Sequence, residues 1–299
     1  MKHTSNILIF GEVLFDCFPT GEQILGGAPF NVAWHLQAFG DAPTLLSSVG
    51  DDALGKTILT AMDAWGMHLS GVQIDPLHPT GQVNVQVIHD EPHYSIASES
   101  AYDFIDADKL SFTGKSGILY HGTLGVRHDV SKKALLKLAE NPNLLIFLDV
   151  NLRTPWWKKE EVFYWLQKAT WVKLNQDELK LLGFTSSDIH QSMTDFQSQF
   201  QLEQLILTRG SEGAIVLAKD GQFHHIVPEK AEHLVDTVGA GDAFSAVYIH
   251  GLLLGWSIQN ILSVAQQFAL KVIGLRGATT KDPLFYQEFT ESVLLFDRD

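Results

Sequence analysis

Seven short apolar runs recur along the chain: Ile7–Phe10, Leu45–Val49, Ile118–Tyr120, Leu144–Leu148, Trp171–Leu174, Leu205–Leu207 and Ala214–Leu217. Between several of them lie stretches with helical spacing, namely Phe30–Phe39, Leu54–Trp65, Lys132–Ala139 and Glu160–Lys168. The last third adds two longer ones, Ala243–Leu254 and Ile258–Ile273. Strands that alternate with helices build βαβ units, in which the crossover helices cover a mostly parallel sheet. The expectation is an α/β fold. Neither an internal repeat nor a low-complexity linker interrupts the pattern, which predicts a single domain over 1–299.

One segment departs from this rule. Gln82 to Ile88 alternates polar and apolar residues, Asp90-Glu91-Pro92 offers a turn, and Tyr94 and Ile96 resume the pattern. Alternation marks a strand with one wet face, so this reads as a half-exposed hairpin. Two strands alone are marginal in water, so the hairpin is expected to join Val13–Phe18 and a second subunit. It is read as a small β lid over the sheet, discontinuous in sequence at about 12–20 and 80–104. A decorative edge hairpin is the plainer alternative.

Composition narrows the chemistry. Of 299 residues, 45% are hydrophobic and 19% charged, which suits a chain with a sizeable buried core. The single cysteine, Cys17, excludes a disulfide framework and a cysteine metal cluster, and fits a reducing cytoplasm. As a small buried apolar residue it needs no further role. No run approaches the roughly 20 apolar residues of a membrane span. The opening Met-Lys-His-Thr-Ser-Asn leads toward a strand rather than a signal peptide. A net charge of −14 argues against nucleic acid and acidic membranes as partners. An anionic substrate would have to be captured by local donors against that global field.

The most informative local stretch is Asp236-Thr-Val-Gly-Ala-Gly-Asp-Ala-Phe244. Gly239, Ala240 and Gly241 can bring bare N–H groups to a helix N-terminus, where unpaired donors and the helix dipole bind anionic oxygen. Asp242 beside such a cradle suits a base that takes a proton from a hydroxyl attacking phosphorus. A glycine turn with an aspartate cap is the competing reading. Polar residues also stand just past successive apolar runs: Asp16, His121, Asp149, Asn151 with Arg153, Asn175 with Glu178, and Thr208-Arg209-Gly210. Singly each can be a cap or loop residue; together they describe one crevice at the carboxyl ends of the strands. Gly50 to Thr57 matches the phosphate-loop pattern G-x-x-x-x-G-K-[ST], but Asp51 and Asp52 would face the phosphates. It is read as a strand-to-helix turn with aspartate caps, with Lys56 facing solvent.

Taken together these residues resemble the ribokinase-like, PfkB-type carbohydrate kinases, and the fructokinases among them most closely. Gly26-Gly-Ala-Pro-Phe-Asn-Val-Ala33 is similar to that family's N-terminal glycine signature, and Asp236–Phe244 to its C-terminal one. Asp149-Val-Asn-Leu-Arg153, Asn175-Gln-Asp-Glu178 and Thr208-Arg-Gly210 follow in the family's order, and Gly50-Asp-Asp-Ala-Leu-Gly55 fits its G-x-D-x-x-G turn. The resemblance runs from about Ile7 to Ala278. It implies a three-layer α/β/α sandwich with a lid, and transfer of the γ-phosphoryl group of ATP to a primary hydroxyl of a small sugar.

Site roles follow from the resemblance. Asp242 would be the base, and the Gly239, Ala240 and Gly241 amides would stabilise the phosphoryl group in flight. Asp16, Gly27 and Asn31 would hold sugar hydroxyls, and Arg153 would clamp the sugar or the transferring phosphate. Asn175 and Glu178 would position Mg²⁺ and its waters, Glu178 through water, while Thr208 and Gly210 would contact the nucleotide. Asp236 and the Val238 carbonyl, with Gly277-Ala278, resemble a monovalent-cation site suited to K⁺. Tyr94, Tyr102, Asp103 and His121 are candidates for the pocket wall. Fructose is the expected acceptor, with 2-keto-3-deoxygluconate, ribose or a nucleoside as alternatives, and a non-catalytic ligand sensor as the non-enzyme reading. A homodimer through the lid is the expected assembly.

Overall fold

The computed structural model describes residues 6–88, 91–110, 116–228 and 234–293. The chain opens with β1 (Asn6–Phe10), β2 (Leu14–Cys17), β3 (Gln23–Gly26), α1 (Ala28–Ala38), β4 (Thr44–Gly50) and α2 (Ala53–Ala64). Next come β5 (Val72–Asp75), β6 (Gly81–Ile88), β7 (Glu91–Ile96), β8 (Gly117–His121), α3 (Asp129–Ala139), β9 (Leu144–Asp149) and α4 (Lys159–Leu166). It continues with β10 (Trp171–Asn175), α5 (Gln176–Leu181), α6 (Ile189–Phe200), β11 (Gln204–Thr208), β12 (Ala214–Ala218) and β13 (Phe223–Ile226). Three helices follow: α7 (Ala240–Leu254), α8 (Ile258–Val272) and α9 (Pro283–Val293).

All seven apolar runs are strands of one sheet, ordered β13-β12-β11-β10-β9-β8-β1-β4-β5. The strands from β5 to β11 pair in parallel, and β12 and β13 extend the sheet antiparallel. Successive side chains of a strand point to opposite faces, and the core divides accordingly. Ile7 and Ile9 of β1 pack in one cluster with α1, α2, α7, α8 and α9; Leu8 and Phe10 pack in the other with α3, α4, α5 and α6. The result is the three-layer α/β/α arrangement. The edge strands β5 and β13 escape a reading from apolar runs, because Val72-Gln-Ile-Asp75 and Phe223-His-His-Ile226 are half polar.

A second sheet, ordered β3-β2-β6-β7, hangs from the carboxyl end of β1. Here β2 and β6 run parallel while β6 and β7 form the hairpin, with Leu14, Val83 and Tyr102 as a small core. The added strand beside β2 is β3 of the same chain, which the alternation of 82–96 does not announce. Ile88 pairs with Glu91, so Glu91 and Pro92 belong to β7 rather than to the turn; Asp90 lies outside the described residues. Proline is tolerated there because β7 is an edge strand, where a missing N–H breaks no ladder. Among the described residues no helix is long and apolar enough to cross a membrane.

Candidate active site

The parallel strands end together at one edge, and the polar residues converge there. At α7 the chain enters through Gly239, whose φ of +81° is left-handed. A Cβ on Gly239 would stand 2.2 Å from Ala278 Cβ, so only glycine lets the 236–239 loop lie on the 277–278 segment. No side chain caps α7. The first-turn amides of a helix have no partner within it; Ala240 N turns back to Thr237 O at 3.4 Å, which leaves those of Gly241 and Asp242 as the open donors of the cradle.

Asp242 does not turn back to cap its own helix. Its Oδ2 accepts a 2.8 Å hydrogen bond from Asn31 Nδ2, across from α1. Burial pushes its pKa up to about 6, against the opposing pull of the Asn31 hydrogen bond; Asp149 adds to the rise, and Lys173 and Arg153 hold it down. A carboxylate poised near neutral pH is suited to accept a proton.

At the start of α1, Asp16 in β2 and Asn31 in α1 both face Gly26. A Cβ at Gly26 would lie 3.8 Å from Asp16 Oδ2 and 3.9 Å from Asn31 Oδ1. Asn31 Oδ1 is buried without a hydrogen-bond partner in the chain. Gly27 is the N-cap of α1 with φ of +107°, and a Cβ there would meet Glu12 O at 2.7 Å. Burial raises Asp16 to about 6, with Arg153 lowering and Asp236 raising it. Glu12 is buried and raised to about 7, again by burial first, with Arg153 and Arg127 opposing and Asp242 adding. Arg153 is exposed in the loop after β9, and its charge is felt by Glu12, Asp16 and Asp242 alike.

Behind the cradle lies a buried polar network. Lys173 Nζ, in the middle of β10, pairs with Asp149 Oδ2 at 2.6 Å. The same oxygen accepts from Ser245 Oγ at 2.9 Å and Tyr120 Oη at 3.2 Å. A Cβ on Gly241 would lie 3.5 Å from Lys173 Nζ, so this cation stands directly beneath the first turn of α7.

Past the end of β10, Asn175 caps α5: its Oδ1 accepts from Asp177 N and Glu178 N, each at 2.9 Å. Glu178 Oε2 accepts from Asn175 N and its Oε1 from Leu152 N, each at 2.8 Å. Burial raises the Glu178 carboxyl, opposed by these N–H groups and joined by the Asp149 charge. A carboxylate has about four lone-pair sites, so two remain. That fits an ion held through water better than one stripped of it. Thr208 ends β11, and Gly210, at φ of +55°, begins the turn after it. Asp236 Oδ1 accepts from Val238 N at 3.0 Å and Oδ2 from Gly277 N at 3.3 Å, which brings the two candidate cation loops together. Among the described residues no group of three or more His, Cys, Asp or Glu could hold a metal.

The pfkB family carbohydrate kinase model matches residues 9–284. The chain belongs to that family. It is 26% identical to the fructokinase of Escherichia coli over 306 residues, covering 94% of this chain and 97% of that protein. A fructokinase from Vibrio cholerae O395, solved in fructose, ADP and calcium ion bound form, superposes with a TM-score of 0.81 at 20% identity, over 95% of this chain and 98% of that one. The aminoimidazole riboside kinase of Salmonella enterica, complexed with aminoimidazole riboside and an ATP analogue, gives 0.80 at 20% identity, over 96% and 100%. At such identities the structural likeness speaks for the fold. The chain is thus a sugar kinase of the PfkB type.

Several residues of this family member escaped the sequence reading. Glu12, Lys173 and Arg127 join the charge field of the crevice without belonging to the signatures quoted above. Lys173 carried a usable signal, since a lysine inside Trp171-Val-Lys-Leu-Asn175 must find a buried counter-charge. His121, expected in the crevice, is fully buried at the end of β8 against Trp165, with Nδ1 against Gly122 O and its pKa pushed down to about 4 by burial. Tyr94 is exposed on the outer strand β7. The Gly50–Thr57 turn behaves as an aspartate-capped turn: Asp52 accepts from Gly55 N and from Thr80 N and Oγ1.

Proposed function

We propose that the protein is an ATP-dependent kinase that phosphorylates a primary hydroxyl of a small sugar, with fructose the favoured acceptor. The observation that carries this reading is the uncapped start of α7, with Asp242 turned away from its own helix toward Asn31. In this reading the sugar rests among Asp16, Gly27 and Asn31, and its reacting hydroxyl gives its proton to Asp242. The Gly239–Gly241 amides meet charge that develops on the transferring oxygens. Phosphoryl transfer needs little covalent help from a protein, so in-line positioning and charge stabilisation account for most of the rate. Arg153, at the mouth, orients sugar or phosphate.

Glu178 and Asn175 would hold Mg²⁺ through water; bound there, the ion would neutralise nucleotide phosphate charge. Thr208 and Gly210 would contact the nucleotide, and the Asp236–Val238 and Gly277–Ala278 loops would hold K⁺. The small sheet acts as a lid that excludes water, and a second copy pairs through it to give a cytoplasmic homodimer, a point light scattering decides. The kinase reading is tested by ADP release with fructose, ribose, 2-keto-3-deoxygluconate and nucleosides, in the parent and in Asp242→Ala. ADP release that depends on acceptor and on Asp242 is expected; a sugar-independent rate, equal in both proteins, would refute it.

A further inference from the structure

The acceptor end of the crevice carries a masked cation. Arg127 is almost wholly buried, with its side chain 4% exposed. Its Nε and Nη2 donate to the two oxygens of Asp103 at 2.8 and 2.7 Å, and Nη2 also donates to Ala97 O at 2.5 Å. The guanidinium lies 4.3 Å from the Trp156 ring and 5.2 Å from that of Tyr102. It thus ties the chain leaving β7 to the loop that presents Arg153. Gly125, two residues before Arg127, would place a Cβ 3.2 Å from Glu12 Oε2, so the turn that leads into Arg127 lies against Glu12, which feels the Arg127 charge.

The charge balance of that floor is one-sided. Arg127 is committed to Asp103 and Lys173 to Asp149, each through buried contacts. Arg153 is the exposed cation facing Glu12, Asp16 and Asp242, while Arg127 acts on Glu12 and Lys173 on Asp242 from within their buried pairs. A bidentate buried pair presents almost no net charge to its surroundings. An acceptor with a second anionic group would therefore meet three carboxyls offset by one exposed guanidinium and by two cations already paired, with little water to screen them.

We infer that Asp103 is a specificity-determining residue: by masking Arg127 it restricts the acceptor to an uncharged polyol and rejects sugars bearing a phosphate or carboxylate remote from the transferred hydroxyl. This rests on the kinase reading above and adds the class of acceptor. Asp103 acts through the charge of Arg127, as a positioning residue, and touches no substrate.

The experiment compares kcat/KM for fructose and ribose with that for fructose 6-phosphate and 2-keto-3-deoxygluconate. The parent protein is expected to favour the neutral sugars. Asp103→Asn unmasks Arg127 and should shift the anionic-to-neutral ratio toward the anionic acceptors on the order of tenfold. That gain should fade with added salt, while KM for ATP stays put; loss of a merely structural contact would lower all acceptors alike and leave the ratio unmoved. Leaving a buried arginine unpaired is costly, so two backups accompany it. Glu12→Gln at pH 8 removes one floor charge and should move the ratio the same way by a few-fold. The double change Asp103→Asn with Arg127→Met restores neutrality and should return the parent ratio. Preference of the parent for a charged acceptor, or an unchanged ratio in Asp103→Asn or Glu12→Gln, overturns the inference while the kinase reading survives. ADP release that no acceptor stimulates sinks both.

Discussion

Two glycine-bearing turns lead into helices in this molecule, and they end up opposite. Gly50–Thr57 satisfies a phosphate-loop pattern in full, yet Asp52 occupies the site itself, accepting from Gly55 N at 2.8 Å and from both donors of Thr80, N and Oγ1. Lys56 is left on the surface, its side chain 74% exposed, with Asp51 at 3.7 Å. At the start of α7 the matching amides have no side-chain cap, and Asp242 reaches instead to Asn31, 211 positions earlier. A helix N-terminus serves a ligand when the chain leaves its donors unclaimed. Three residues decide the matter at α2, because an aspartate at the N-cap lies within reach of the third amide.

The largest effect should come from breaking the open turn. Asp242→Ala is expected to lower kcat at least 10²–10⁴-fold with KM for ATP little changed, because a general base contributes about that much. A variant that keeps a tenth of the parent rate in steady-state assays would close the case against this base.

Next in size is the pH profile of the same turn. With Asp242 raised to about 6, kcat/KM should be flat above that value and fall about tenfold for each unit below it, as the base becomes protonated. A rate that rises on acidification would contradict the assignment.

The closed turn should answer in stability instead. Asp52→Ala leaves two amides and a hydroxyl without their acceptor, costing about 1–3 kcal/mol, or several degrees in Tm. Activity per folded molecule should survive, which separates the two turns.

The carboxyls of the open site also tax the fold. Glu12, Asp16 and Asp242 have folded pKa values near 7, 6 and 6, above their ordinary range. The folded state therefore holds more protons than the unfolded one between about pH 4 and pH 7, and stability drops as pH rises through that window. Glu12→Gln should accordingly raise Tm at pH 8 more than at pH 5, measurable by calorimetry. The smallest effect belongs to Lys56→Ala, within about 0.5 kcal/mol and twofold in rate, since exposed ion pairs contribute little. A tenfold loss there would restore the phosphate-loop reading.

Much of this was legible in one dimension. The apolar runs announced seven of the nine large-sheet strands, because a strand buried on both faces must be apolar throughout. The half-polar edge strands β5 and β13 could not announce themselves that way. The alternation at Gln82–Ile88 announced the hairpin, but not β3, whose Gln23-Ile-Leu-Gly26 is too short to carry a period. In the site, Gly27, Asn31 and Asp242 were legible from the two signatures and Asp16 from its place past an apolar run, and Asn31 lies beside both Asp242 and the Gly26 that Asp16 faces. Asn175 and Glu178 turned out to cap α5 as well, which is the use their three-residue spacing equally allows. Glu12 was passed over, since a glutamate after a strand looks like any loop residue.

What the order of residues settles by itself is whatever depends on near neighbours: the period of each strand and helix, and the caps at Asp52 and Asn175. What the tertiary structure decides is which charges share a low-dielectric space. Arg127 meets Asp103 and Lys173 meets Asp149 across 24 residues in each case. No local preference selects those partners; the packing of β9 on β10 sets one pair, and that of the 101–104 turn on the 124–126 turn and α3 sets the other. Burial likewise sets the electrostatics of the crevice, because Glu12, Asp16 and Asp242, taken from water, have their pKa values raised by an amount that only their surroundings determine.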